Sequence, residues 1–420
     1  SGSLNFSDVS GVDETWRSFA YYANADYNYK YKYFVQGGLS METSSRFGRD
    51  VEAGLKLAGV HWGLFPSIQT AWLLSSEDFF NREALGINSL KLSAGYDVSG
   101  NDDVAITASR TSLSATRFMN NSVGLVLNNI GNTGIQWETT HRLRVGLDLT
   151  EYNNILAFSL NFFKSYTNNL LTLKSLPEIT GEGYYWSNDG SLENIGLDFG
   201  VRFKLLNRKN WKWELGANAT AYKNKITALP DGDYTTTIYG ANVLTSVGRA
   251  AGVFYGYETD GVYATQQEAE EAGLTLVSTT GEVTPFAAGD MKFVDHVQDG
   301  IINEKDMVVI GNPNPDVYGN LYSNLSYKRL SLNMNFNYSF GNDIYNYQRS
   351  QLESGSQFFN QTTALNRRWI AEGHHTDIPK ATFGDPMGNS RFSDRWIEDG
   401  SYLRLRSVTL SYELPVNSVW

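Results

Sequence analysis

From Leu332 to Phe340 the chain alternates without a fault. Leu332, Met334, Phe336, Tyr338 and Phe340 fall on one face, and Asn333, Asn335, Asn337 and Ser339 on the other. Only an extended backbone returns every second side chain to the same side, so this stretch is a strand that is oily on one face and wet on the other. The same pattern puts Leu143, Val145, Leu147 and Leu149 opposite Arg142, Arg144, Gly146 and Asp148. It recurs in Leu156, Phe158, Leu160 and Phe162, in Trp213, Leu215, Ala217, Ala219 and Ala221, and in Val408, Leu410, Tyr412 and Leu414. About a dozen such segments follow one another, which predicts an all-β, antiparallel fold.

Alternation alone suits the inner face of a soluble sandwich or propeller equally well. Three features favour a transmembrane β-barrel. The segments run to about ten residues or more, longer than most sandwich strands. Their polar faces are Asn, Ser, Gly and Arg, which suit a hydrated lumen. Rings gather at strand ends, as in Tyr27, Tyr29, Tyr31 and Tyr33. The turn around Leu149–Asn154 is tight, whereas Ile226 to Asp316 is long, Gly-rich and acidic, which fits short turns at one end of a barrel and long extracellular loops at the other. No run approaches the roughly 18 apolar residues of a membrane helix, but strands cross a bilayer with about 9 to 11 alternating ones.

Composition sharpens what the chain is not. A net charge of -11, from Lys+Arg 34 against Asp+Glu 45, lacks the basic footprint that nucleic-acid binding requires. With no Cys there is neither a disulfide framework nor a thiolate site. Ser1-Gly2-Ser3-Leu4 shows no basic region leading into an apolar run, so an export signal is expected to lie ahead of it. No fixed-period repeat or Pro-rich linker interrupts the strand-turn rhythm, so residues 1–420 read as one barrel domain, and a partial one. The one helical piece is Thr265–Gly273, with Thr as cap, Glu in its first turn and Gly as stop.

The sharpest local motif is Asp295–Asp306. With Asp295 as position one, Asp299 falls at five, Gly300 at six and Asp306 at twelve, where a 12-residue calcium loop places oxygen ligands and its turn glycine. Val297 at position three has no side-chain oxygen, so the alternative is a surface loop closed by Asx hydrogen bonds. Adjacent His374 and His375 point to opposite sides of an extended chain and make a poor chelate. No nucleophile, phosphate-loop or metalloprotease motif is present, and no enzyme activity is expected. Glu270 and Glu271 belong to the exposed helix. Tyr184, Tyr185 and Trp186 are candidate substrate contacts, since rings in a loop stack on sugars or on peptide side chains; interface packing is the other reading.

Ten stretches in order resemble the SusC/RagA-like TonB-dependent transporters. They are Ser44–Gly48, Gly63–Ser67, Leu92–Asn101, Trp137–Thr140 leading into Gly146-Leu147-Asp148, Glu193–Gly196, Gly252–Tyr257, the acidic loop, Ile310–Asp316, Gly341–Asn346 and Asp399–Leu405. The resemblance implies part of a 22-stranded barrel, the class whose lumen is plugged. It implies a signal, a TonB-contacting box and a plug ahead of Ser1, and further strands after Trp420. It also implies coupling to TonB-ExbB-ExbD through that N-terminal region, a SusD-like surface lipoprotein as partner and outer-membrane lipid around the wall; no cofactor is required, and calcium in the extracellular loop is a candidate from the spacing alone. The family often carries Asn at the place of Val297. The expected function is import of oligosaccharides across the bacterial outer membrane. The alternatives are peptide import by the same machinery, a non-transporting surface glycan-binding β-protein, and a passive porin.

Overall fold

A computed structural model describes residues 15–415 apart from 119–121, 152, 177–178, 180–183, 231 and 279–280. Its principal element is a twelve-stranded sheet. Its long strands are β1 (Ser18–Tyr29), β2 (Tyr33–Ser44), β3 (Val60–Leu73), β4 (Ile87–Asn101), β5 (Glu138–Glu151), β6 (Leu156–Asn168), β7 (Ser191–Asn207), β8 (Trp211–Ala228), β9 (Val317–Tyr327), β10 (Leu330–Phe340) and β11 (Tyr402–Tyr412). They stand in chain order, and a short strand, Leu55–Leu57, adds to β3. Sequential neighbours pair because each tight turn delivers the next strand alongside the last, which costs the least loop entropy. The connections 30–32, 74–86, 152–155, 208–210 and 328–329 leave one end of the strands. The connections 45–59, 102–137, 169–190, 229–316 and 341–401 leave the other. This is the short-turn, long-loop asymmetry of an outer-membrane barrel.

The chain divides into two compact units. In the first, residues 1–81, 89–147 and 163–193, strands β1 to β4 pair antiparallel in continuous register. Pro66 sits opposite Leu39 of β2, and the pairing with β4 starts one residue later at Ser67. A proline has no N–H to give a ladder, so the second partner begins where donors resume. The core of this unit is Phe47, Val51, Phe65, Val104, Ile135 and Trp137, drawn from the long-loop end of the sheet and the connections there. Gly100 leaves room for it, since a Cβ at that position would lie 2.3 Å from the Phe65 ring.

In the second unit, residues 82–88, 148–162 and 194–420, the ladder β8-β9-β10-β11 shows how the alternation is used. One row across it is Trp213, Leu325, Leu332 and Leu410, and another is Ala217, Leu321, Phe336 and Leu405. The polar rows that alternate with them include Glu214, Asn324, Asn333 and Thr409, and, just past the second apolar row, Asn218, Asn320, Asn337 and Arg404. In the second of these rows Asn218 bonds across strands, its Oδ1 accepting from Asn320 N at 2.9 Å. The long connection 229–316 is itself folded. A four-stranded sheet is built from Tyr234–Ile238, Ala241–Thr245, Val253–Gly256 and Val308–Gly311, and Val262, Tyr263, Phe286, Met291, Phe293 and Ile302 form a core against which Tyr257, Leu274, Leu276 and Trp369 pack.

Candidate functional site

The helix expected in this connection spans Gln266–Ala272. Thr265 caps it by accepting from Glu268 N, and Gly273 ends it in the left-handed region at φ 65. The acidic loop follows. Asp295 Oδ1 accepts from Gln298 N at 2.6 Å and Oδ2 from Gly300 N at 2.8 Å. Asp306, 0% exposed, accepts from Asn303 N at 2.9 Å and Val297 N at 3.3 Å. Asp299 accepts from Ile301 N. Burial pushes the Asp295 carboxyl up, but main-chain N–H groups led by Gly300 and Gln298, with the Asp306 side chain beside them, hold it below the usual range. Three acidic residues chosen from the sequence thus fold into one loop and turn their oxygens onto its own amides. Among the described residues there is no cluster of three or more His, Cys, Asp or Glu arranged around a metal ion. His296 pairs with Glu258 at 3.2 Å, His374 is half-buried and His375 exposed.

Tyr184, Tyr185 and Trp186 lie in a strand, Tyr184–Asn188, that pairs with Leu171–Ser175 in the connection between β6 and β7. The side chain of Tyr184 lies outside the described residues. Trp186 packs against the core of the first unit and accepts from Asn132 Nδ2 through its carbonyl, while Tyr185 is half-buried on the opposite side of its strand.

Sequence reasoning missed a cavity of about 330 Å³ in the second unit, formed within the long connection 341–401 together with Gly240. Tyr345, Phe392 and Trp396 supply rings, and Ser350, Gln351, Ser354, Ser356 and Gln357 supply hydroxyls and amides. Its frame is rigid. Trp396 is 1% exposed and its indole donates to Arg391 O at 3.0 Å. Arg391 spans from Met387 O, at 2.8 Å, to the ring faces of Tyr257 and Phe293. Arg349 clamps Glu353 and Glu398. Burial lowers the Arg395 guanidinium to about 10, with Arg349 adding to the effect. Its Nη1 is buried without a hydrogen-bond partner among the described residues. Nearby in sequence, Phe358 and Phe383 stack at 4.8 Å while remaining 89% and 65% exposed. The only hint of this cavity in the sequence was the density of Ser and Gln between aromatic residues, which has no fixed spacing to recognise.

Apolar rows alternating with Asn, Ser and Arg rows, short turns at one end and folded polar loops at the other define the wall of a large outer-membrane β-barrel. Comparison with known proteins makes this particular. Residues 3–288 match the family model described as TonB dependent receptor-like, beta-barrel, and the chain belongs to that family. It is 31% identical over 98% of its length to TonB-dependent receptor P26 of Formosa agariphila, covering 40% of that protein. It is 24% identical over 94% of its length to TonB-dependent receptor SusC of Bacteroides thetaiotaomicron, covering 37%. A solved structure of the RagAB peptide transporter superposes with a TM-score of 0.72 at 21% identity, over 94% of this chain and 41% of that one. The chain therefore spans about two fifths of the relatives it matches. The expected fold and outer-membrane location stand, and the soluble-sandwich reading is set aside.

Proposed function

We propose that this chain is part of the barrel wall of a TonB-dependent importer of nutrient oligomers, working with a SusD-like surface lipoprotein and energised by TonB-ExbB-ExbD. The observation that carries the reading is the ladder β8-β9-β10-β11, whose polar rows of Asn, Ser and Arg suit a hydrated path while the rows between them suit lipid. Oligosaccharides are the leading cargo. Rings beside Ser and Gln, with no carboxylate in the lining of the 341–401 cavity, match sugar hydroxyls and apolar ring faces. Tyr184, Tyr185 and Trp186 are proposed as further contacts. Peptide is the second reading, favoured by the likeness to a structure described as a peptide transporter. The exposed Phe358–Phe383 stack supports a partner surface at the long-loop end.

Calcium at Asp295, Asp299 and Asp306 is likewise a proposal, in which the ion shares oxygens that already accept main-chain N–H groups. Micromolar heat on Ca²⁺ titration supports it, and silence at millimolar Ca²⁺ leaves a hydrogen-bonded turn. The deciding experiment for the whole reading is extraction of the full-length protein from native outer membrane in mild detergent, followed by mass spectrometry of what accompanies it. A SusD-like lipoprotein with bound glycan is the expected result. Bound peptide promotes the second reading, and a lone protein without lipoprotein or ligand overturns both.

A further inference from the structure

A cleft of about 420 Å³ opens at the short-turn tips of β8, β9, β10 and β11. On the polar face one row crosses all these strands: Lys212 is opposite Ser326, Ser326 opposite Ser331, and Ser331 opposite Ser411. The turns add Lys209, Lys328 and Arg329 to its lining. These turns are tied to their neighbours, since Lys328 N donates to Asn210 O at 2.8 Å and Glu413 N donates to Arg329 O at 2.9 Å. Glu413 is the one carboxylate in the lining.

Elsewhere in the same unit cations are neutralised, as Lys292 is by Glu268, Lys380 by Asp290 and Arg349 by Glu353. Among the described residues, no ion pair joins Lys209, Lys212, Lys328 or Arg329 to a carboxylate. In a chain of net charge -11, four cations against one carboxylate round a single cleft make a locally positive field, whose self-repulsion an anion relieves. Lys328 closes its turn with φ at 51, in the left-handed region that Asn154 also occupies in another short turn at φ 55.

We propose that this cleft binds a phosphate-class oxyanion, presented either by a soluble phosphate or by a phospholipid headgroup of the leaflet on the short-turn side. The chemistry matches: ammonium groups and a guanidinium fork supply charge, and serine hydroxyls supply directional donors to a tetrahedral anion. Anionic headgroups gain about fivefold in affinity per nearby Lys or Arg.

The test uses the full-length chain in mild detergent at low salt. One arm titrates inorganic phosphate by calorimetry. The other reads, by native mass spectrometry, the lipid retained from nanodiscs of mixed phosphatidylglycerol and phosphatidylcholine. The variant is Lys328→Asn with Arg329→Gln; Asn tolerates the left-handed backbone, so the turn still forms. The control is Lys225→Gln, toward the other end of β8. Phosphate heat, or preferential retention of phosphatidylglycerol, that falls roughly tenfold or more in the double variant and not in the control supports the proposal, and whichever arm responds names the source. Absence of both signals in the parent protein, or equal signals in parent and double variant, overturns it.

Discussion

Glu77, in the short connection 74–86, gathers three donors: Tyr33 Oη at 2.7 Å, Trp72 Nε1 at 3.0 Å and Lys32 Nζ at 3.0 Å. These bonds, Tyr33 first, hold its carboxyl down at about 2. A lowered carboxyl pKa means that folding favours the ionised form. The stability it adds is therefore whole above the ordinary carboxylate range and is lost as pH falls from about 4.5 toward 2. Glu77→Gln should lower the melting temperature at pH 7 by a few degrees, and that difference should shrink through this acid window. An unchanged gap at pH 2.5 contradicts the assignment. Asp306 makes a different case, because it is fully buried and satisfies two amides at once. Asp306→Ala should free the Val297 and Asn303 N–H groups at a total cost of roughly 1–3 kcal/mol, read as faster hydrogen exchange at those two amides. The sequence singled out this aspartate for its spacing, and the folded loop shows the backbone that the spacing serves.

At the scale of the strand, the face assignment is exposed to a direct test. Phe336 stands in an apolar row between Leu321 and Leu405. Phe336→Arg should cost on the order of 2–4 kcal/mol at mid-bilayer, measured as folded fraction in lipid vesicles across a urea series, and a fully stable variant would put the residue on the wrong face. Gly216 tests the polar side, where its hydrogen leaves space for the Tyr322 ring, whose nearest carbon would be 2.1 Å from an added Cβ. Gly216→Ala should cost about 1–3 kcal/mol in the same assay, because an aromatic ring has no flexible end to withdraw. Strands and the helix Gln266–Ala272 were legible beforehand because period and caps are local. The cavity of 341–401 was not, because Ser350, Gln351 and Trp396 meet only after a long connection has folded back.

For the whole molecule, Phe358→Ser with Phe383→Ser should leave thermal stability within error, since both rings are exposed, yet reduce recovery of the proposed lipoprotein partner in a pull-down from membranes. Equal recovery would place the partner surface elsewhere. The amino-acid sequence by itself determined the class: period-two alternation in strands of about ten residues admits few solutions, and Asn and Ser on the second face select a wet lumen over a dry sandwich core. Turn lengths set which end is which, because loop length is read directly along the chain. Only the tertiary structure decided that Lys209, Lys212, Lys328 and Arg329 gather round one cleft with no ion pair among the described residues, where Trp186 packs, and that Asp295 and Asp306 turn to backbone amides. Those outcomes depend on residues far apart in the chain or on the path of a long loop, and contact between them is settled by register and packing, which no local pattern encodes.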